Sequence, residues 1–499
     1  MNHIKSNDRY IALILLLFVT LARLLTVPAS LWEWDDMLFA RALQNYDLTV
    51  HAPHPPGFPV FFAMSRVAYW LLKDEYLALT TISLIFSSLL APALYYFYMT
   101  IFKDRRIAFA GTLLCCFVPN VWVYSGSARS DEVGFTIGII GLTLIIRGLE
   151  SQASLIAGCA IFGLGMGVRV TLLPVMGPTI GLIFLARLQR RQWRPVMLAS
   201  LAGILCLLVW FIPFILNVTW EKYRLVMDAH SQYIMQNDTI FSGGRLTSRF
   251  NRYLNDIWGR SWIKAPIYLF SFLGIYILIK KDRWRDAGLL ALACLPYMAF
   301  TFILNAPANA PLYSLPFIPF FIGFAACGLI KLPDLIPGIR GRVAPTNLGF
   351  YSVLLLTILS AYWTYPVIKM RHNEVSPPIR ALNYLKSNIE PDRDTICYDW
   401  MFTPYVNFYF PQVKKLPIDK CINIRPEHIN PNATGEGRLI GLTNVPVSGA
   451  PQVEFSWDAK EQYQKRLLHL SQGVYLSAYV SELSANPNVD SKKTGKAVP

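Results

Sequence analysis

The stretch "SLWEWDDMLFARALQNYDLTVHAPHPPGFPVFF", residues 30–62, sets two adjacent carboxylates, Asp35 and Asp36, behind a tryptophan pair and ahead of a His-Pro-Pro-Gly turn. On a helical wheel over 35–46, Leu38, Phe39, Ala42, Leu43 and Tyr46 share one face, while Met37, Arg41, Gln44 and Asn45 lie roughly opposite. Asp35 falls in the middle of the apolar face and Asp36 at its edge. A carboxylate held against an apolar interior is costly to ionise, which raises its pKa toward the range a general base needs. The competing reading is a helix cap, in which Asp35 accepts from free backbone amides. A cap accounts for one Asp but not for a pair beside two tryptophans, so the functional reading is preferred.

Further candidates follow along the chain. His54 in "HPPGFP" is read either as a substrate contact or as part of a rigid proline turn. Asp131 and Glu132 in "YSGSARSDEVGF" form a second acidic pair, with Arg129 as a cation suited to phosphate. The plain alternative is that Ser130 or Asp131 caps the next helix and Glu132 complements its dipole. Arg169 in "GMGVRVTLLP" lies between two apolar runs, where it either snorkels to an interface or serves a polar cavity. Arg245, Arg249 and Arg252 in "GGRLTSRFNRY" read as a solvated or headgroup-facing surface. No phosphate-binding glycine loop, dinucleotide fingerprint, zinc spacing or Ser-His-Asp pattern is visible, which argues against an ATP-driven pump.

These residues must be positioned by membrane helices. The chain has 499 residues, of which 54% are hydrophobic and 15% charged, against about 25% charged in soluble domains. Its net charge of +15 sits in short clusters between apolar runs, so nucleic acid is not the implied partner; the pattern is the positive-inside bias of a polytopic membrane protein. Eleven runs reach spanning length, at 10–28, 76–102, 107–124, 133–149, 154–170, 172–187, 196–217, 266–280, 287–304, 314–330 and 347–366. The first is read as an uncleaved span rather than a signal peptide. A twelfth, 58–72, is short and contains Arg66. Leaving it uncrossed puts five basic clusters, from Lys103/Arg105/Arg106 to Lys331/Arg340/Arg342, on the N-terminal side, so 58–72 is expected as an amphipathic or re-entrant helix.

The expected fold is therefore α-helical and polytopic, with about 11 transmembrane helices and a small extracytoplasmic α/β domain. Residues 1–366 form the membrane part, whose first outer loop is 29–75; 367–485 form the α/β domain, with strands expected at "DTICYD", "GRLIGLTNV" and "VEFSW"; 486–499 form a disordered tail. Cys397 and Cys421, the two cysteines outside apolar runs, are expected to pair in an oxidising compartment.

The W-D-D loop, "HPPGFP", the acidic turn before the fourth span and "APLYSLP" after the ninth together resemble the GT-C glycosyltransferases. The protein O-mannosyltransferase and lipid A aminoarabinose-transferase branch is the nearest. The resemblance implies a sugar taken from a polyprenyl-phosphate carrier and handed to a glycan, lipid or protein acceptor on the extracytoplasmic face, in the setting of a bacterial inner membrane. It implies Asp35 as catalytic aspartate, Asp36 as its acidic neighbour, Asp131 as the acidic residue before span four, Arg169 as the cation near the lipid phosphate, and Tyr313 as the late tyrosine. The family often has an arginine before that tyrosine, whereas here Leu312 precedes it. No cofactor is required, although paired carboxylates are also the ligands of hard divalent metals. A polysaccharide polymerase or ligase and a lipid-linked-sugar flippase are the rival readings, the former kept open by the long 218–265 loop.

Overall fold

Helix starts along the chain are set by short polar side chains. Asp74 accepts from the Leu77 amide at 2.7 Å, Asp104 from the Arg106 amide at 2.9 Å, and Ser151 from the Ser154 amide at 3.2 Å. The computed structural model describes residues 6–242, 246–258, 261–307, 310–335, 343–422, 438–458 and 477–483. Their contacts fall into two units. Among the described residues, the first holds 6–28 and 38–373, and the second holds 29–37, 374–458 and 477–483.

Among the described residues, seventeen α-helices precede the C-terminal part. They are α1 (Ser6–Leu24), α2 (Trp34–Gln44), α3 (Pro59–Leu72), α4 (Glu75–Phe102), α5 (Arg105–Phe117), α6 (Pro119–Tyr124), α7 (Asp131–Arg147), α8 (Gln152–Gly165) and α9 (Leu172–Gln189), followed by α10 (Trp193–Val218), α11 (Trp220–Asn237), α12 (Leu246–Phe250), α13 (Ser261–Lys280), α14 (Trp284–Leu304), α15 (Ala310–Tyr313), α16 (Ile318–Lys331) and α17 (Val343–Asn373). Helix occupies each of the eleven apolar runs, and seven segments are long and apolar enough to cross a membrane. The run at 107–124 is broken in two. Val118 precedes Pro119 and is extended at φ −64°, ψ 146°, the conformation proline imposes on its predecessor. Helix α3 is short and apolar on both faces: Phe61, Phe62 and Ser65 are buried, whereas the exposed Val67, Trp70 and Leu71 are also apolar or aromatic.

The basic clusters gather at one end of the helices of the first unit. Lys331 pairs with Asp104 at 2.5 Å and Lys281 with Asp334 at 2.5 Å. Arg105 donates to Asp8 at 2.6 Å. Arg283 donates to the last carbonyls of α4, Ile101 and Phe102, and Arg187 donates twice to the carbonyl of Gly148 at the end of α7. Guanidinium groups thus satisfy the orphan carbonyls of helix C-termini. The acidic turn lies at the opposite end, where Ser83, early in α4, donates to the Arg129 carbonyl at 3.2 Å. Close packing of α13 on α16 needs glycine: a Cβ at Gly328 would fall 2.0 Å from the Phe270 carbonyl oxygen, and one at Gly274 would fall 2.1 Å from that of Phe324.

The second unit is an α/β layer. Helices α18 (Pro377–Asn388), α19 (Thr403–Tyr409) and α20 (Ile418–Ile422) accompany strands β1 (Thr395–Tyr398), β2 (Lys414–Pro417), β3 (Leu439–Thr443), β4 (Gln452–Ser456) and β5 (Ser477–Leu483). The sheet order is β2-β1-β3-β5-β4, with β1 parallel to β2 and β3 and the other pairs antiparallel. Cys397 and Cys421 are joined by a disulfide that packs on Leu416, Ile418 and Leu439. Segment 29–37 is tied in here by Ser376, ahead of α18: its amide donates to Ser30 Oγ at 2.9 Å and its hydroxyl to the Leu31 carbonyl at 2.6 Å. The tail expected at 486–499 lies outside the described residues.

Candidate functional site

Arg169 sits in the turn between α8 and α9, its amide bonded to the Gly165 carbonyl at 2.9 Å. Its side chain crosses to the start of α7 and lies against Gly134, where a Cβ would fall 2.9 Å from Arg169 Cδ. There it forms an ion pair with Asp131 and donates to Ser130 Oγ at 3.4 Å. Both members of the pair are largely buried, with 11% and 6% of their side chains exposed. The guanidinium also lies 5.8 Å from the Phe58 ring and 5.5 Å from the Tyr313 ring, distances at which a cation is held by aromatic faces. Ser130 makes no side-chain cap bond, and Asp131 is paired with the Arg169 cation.

Three residues singled out in the sequence, Asp131, Arg169 and Tyr313, thus come together. Tyr297 on α14 is a further electrostatic neighbour of Arg169, Tyr313 and Tyr253. Neither Tyr297 nor Tyr253 was visible as a site residue in the sequence, because a tyrosine in an apolar run reads as packing.

Phe58 reaches this cluster because of the turn before it. Gly57 has φ +103°, a conformation that side chains rarely adopt, and the Tyr46 hydroxyl donates to its carbonyl at 2.7 Å. A Cβ there would meet Tyr46 Oη at 2.5 Å. Val60 then donates to the Gly167 carbonyl at 2.9 Å, fixing the start of α3 beside the Arg169 turn. His54 packs its ring on Phe39 and Phe58, at 5.6 and 5.0 Å. On the far side, His230 of α11 is pushed down to about 4 by burial and by the neighbouring His54 and His51.

The other predicted residues make different contacts. Glu132 is fully buried, and its charged neighbours are Arg23 of α1 and Asp131. Arg129 is buried with its guanidinium 5.4 Å from the Tyr124 ring. Arg249, expected on a solvated surface, is instead buried. It donates to the carbonyls of Phe302, Asn305 and Asp238 and so pins the segment after α11 to the end of α14. Carbonyls at a helix end draw a guanidinium inward as strongly as solvent draws it out. Arg245 lies outside the described residues.

In the second unit the two carboxylates exchange the places expected from the wheel. Asp36 is fully buried and Asp35 is partly exposed. Asp36 occupies the third position of α2 and turns back to accept from the amides of Trp32 and Glu33, at 3.3 and 3.2 Å, one half of a capping box. The structural role read for Asp35 thus belongs to its neighbour. Among the described residues no group of three or more His, Cys, Asp or Glu side chains is gathered as a metal would require.

Comparisons with known proteins bear on this arrangement. Residues 53–217 match the family described as dolichyl-phosphate-mannose-protein mannosyltransferase, a stretch that contains His54, Arg129, Asp131, Glu132 and Arg169. The structure is similar to that of ArnT from Cupriavidus metallidurans in the apo state, with TM-score 0.55 and 14% identity over 94% of this chain and 97% of that one. It is also similar to ArnT from the same organism bound to undecaprenyl phosphate, with TM-score 0.51 and 14% identity over 96% and 97%. No curated protein sequence matches. A polytopic helical unit followed by a small sheet is thus an ArnT-like fold, and within it residues 53–217 carry the match to the mannosyltransferase family.

Proposed function

We propose that the protein moves a sugar from a polyprenyl-phosphate carrier to a glycan, lipid or protein acceptor on the extracytoplasmic face of a bacterial inner membrane. The carrying observation is the buried Arg169, held by Asp131 and between the rings of Phe58 and Tyr313. It lies at the helix end opposite the basic clusters, which the positive-inside bias assigns to the cytoplasm. A prefixed cation in a low-dielectric place favours a phosphate as it gains charge. That ArnT has been seen with undecaprenyl phosphate supports the same donor class here.

In this reading the acceptor oxygen attacks the anomeric carbon, and the bond from that carbon to the phosphate oxygen breaks. The polyprenyl phosphate leaves with the electron pair, stabilised by Arg169, and the acceptor proton passes to Asp35. Asp36 holds the start of α2 so that Asp35 keeps its place. Energy comes from the donor bond, in keeping with the lack of a nucleotide motif.

The test is transfer from a panel of radiolabelled polyprenyl-phosphate sugars by purified wild type and Asp35→Asn. The variant is expected to melt normally and to lose on the order of 10²-fold or more in turnover, the scale of lost acid–base assistance. Near-normal transfer by a normally stable variant removes Asp35 from the mechanism.

A further inference from the structure

The second unit carries an aromatic surface to which the transfer step above assigns no role. Strand β1 lies between β2 and β3 and runs parallel to both, so the chain leaves β1 toward one side and later returns on the other. The carboxyl end of such a strand is a switch point, where diverging loops leave a crevice and open α/β sheets bind ligands. Trp400 stands there. Asp399 accepts from the Met401 amide at 3.2 Å, and its own amide donates to the Leu442 carbonyl of β3 at 3.0 Å. From the end of β3, Asn444 reaches the Met401 sulfur at 3.2 Å. The turn is thus fixed, yet Trp400 itself is 64% exposed.

The Trp400 ring meets Trp34 edge-on, with centroids 5.2 Å apart and planes at 66°. The indole N–H of Trp34 is buried without a hydrogen-bond partner among the described residues, a condition that costs about 1–3 kcal/mol unless a ligand or water satisfies it. The next residue is Asp35. An exposed aromatic face with a waiting N–H donor and a neighbouring carboxylate matches a pyranose, whose C–H face packs on an aromatic ring while its hydroxyls bond at the edges. An interfacial anchor would account for an exposed tryptophan but not for the unsatisfied N–H beside it.

We infer that Trp400 and Trp34 form a pyranose-binding platform on the C-terminal unit, and that Trp400 sets which sugar is accepted. The selectivity role rests on the transfer reaction proposed above; the binding itself does not. Saturation-transfer NMR of the full-length protein in detergent, with a panel of methyl pyranosides, tests it. At least one glycoside should bind the wild type. Trp400→Ala should weaken it about tenfold, the scale of one aromatic contact, and Trp400→Phe should retain most of the affinity. Trp34→Phe keeps a ring but removes the N–H, and should shift preference within the panel. The inference is overturned if no pyranoside binds, or if Trp400→Ala binds as well as wild type while only its partition into lipid falls. Pyranoside binding by a protein that transfers no sugar would keep the platform and remove the transfer reading.

Discussion

Neutralising the Asp131–Arg169 pair separates what the pair does for folding from what Arg169 does for chemistry. Asp131→Asn leaves a guanidinium with 11% of its side chain exposed and no counter-charge. Breaking a buried pair from one side costs about 3–5 kcal/mol. The two aromatic faces at 5.8 and 5.5 Å each return up to about 2 kcal/mol to a desolvated cation, so the loss should lie near the lower bound. Arg169→Gln leaves a carboxylate with 6% of its side chain exposed and no such rings to rest on, so it should be the less stable single variant. The double variant removes both charges, and no uncompensated charge remains. Its melting temperature should therefore recover toward wild type and exceed that of either single variant. Activity should not recover, because the cation proposed to face the leaving phosphate is gone. Loss of one prearranged charge contact costs about 2.7–4 kcal/mol of barrier, or roughly 10²–10³-fold in turnover. Thermal unfolding in detergent and sugar transfer at saturating donor give the two readouts. A double variant that melts normally and transfers sugar at near wild-type rate would refute the assignment of Arg169.

Gly57→Ala should lower stability by about 1–3 kcal/mol, the cost of a disfavoured backbone conformation, because the position has φ +103° and its Cβ would press on Tyr46 Oη; an unchanged melting curve would contradict the turn geometry. Burial alone would push the Asp394 carboxyl up, but bonds from the Arg438 guanidinium and from the amides of Glu390 and Arg438 hold it below the ordinary range. The stability this contributes is present above the unfolded carboxyl value of about 4 and is lost as pH falls through the folded value; Asp394→Asn should therefore flatten the acid limb of a melting-temperature profile taken from pH 6 downward.

The helices were legible because their signals are local and long. An apolar run and an acidic cap suffice for α4, and even the break at Val118 could have been found from Pro119. Strands β1, β3 and β4 announced themselves in "DTICYD", "GRLIGLTNV" and "VEFSW", whereas β2, a "KKLP" run without β-branched residues, did not. The meeting of Asp131, Arg169 and Tyr313 was readable only through resemblance, since nothing in the spacing of three distant residues says that they touch. Arg249 was misplaced because a charged residue in a polar loop gives no sign of the carbonyls that await it at the end of another helix.

The inversion of Asp35 and Asp36 has a more general cause. A helical wheel assigns burial from side-chain direction, which presumes that the helix is already under way. In the first turn that premise fails, because the amides there have no partners within the helix and compete for any nearby acceptor. Asp36 answers them, with Oδ2 on the Trp32 and Glu33 amides, and those bonds offset the cost of its burial. Asp35, one position earlier, is partly exposed. In the transfer proposed above, the pair divides its labour: one acid holds the helix start and the other takes the proton. The two replacements should differ accordingly: Asp36→Asn should show its loss first as a lower melting temperature, and Asp35→Asn as lost turnover at an unchanged one.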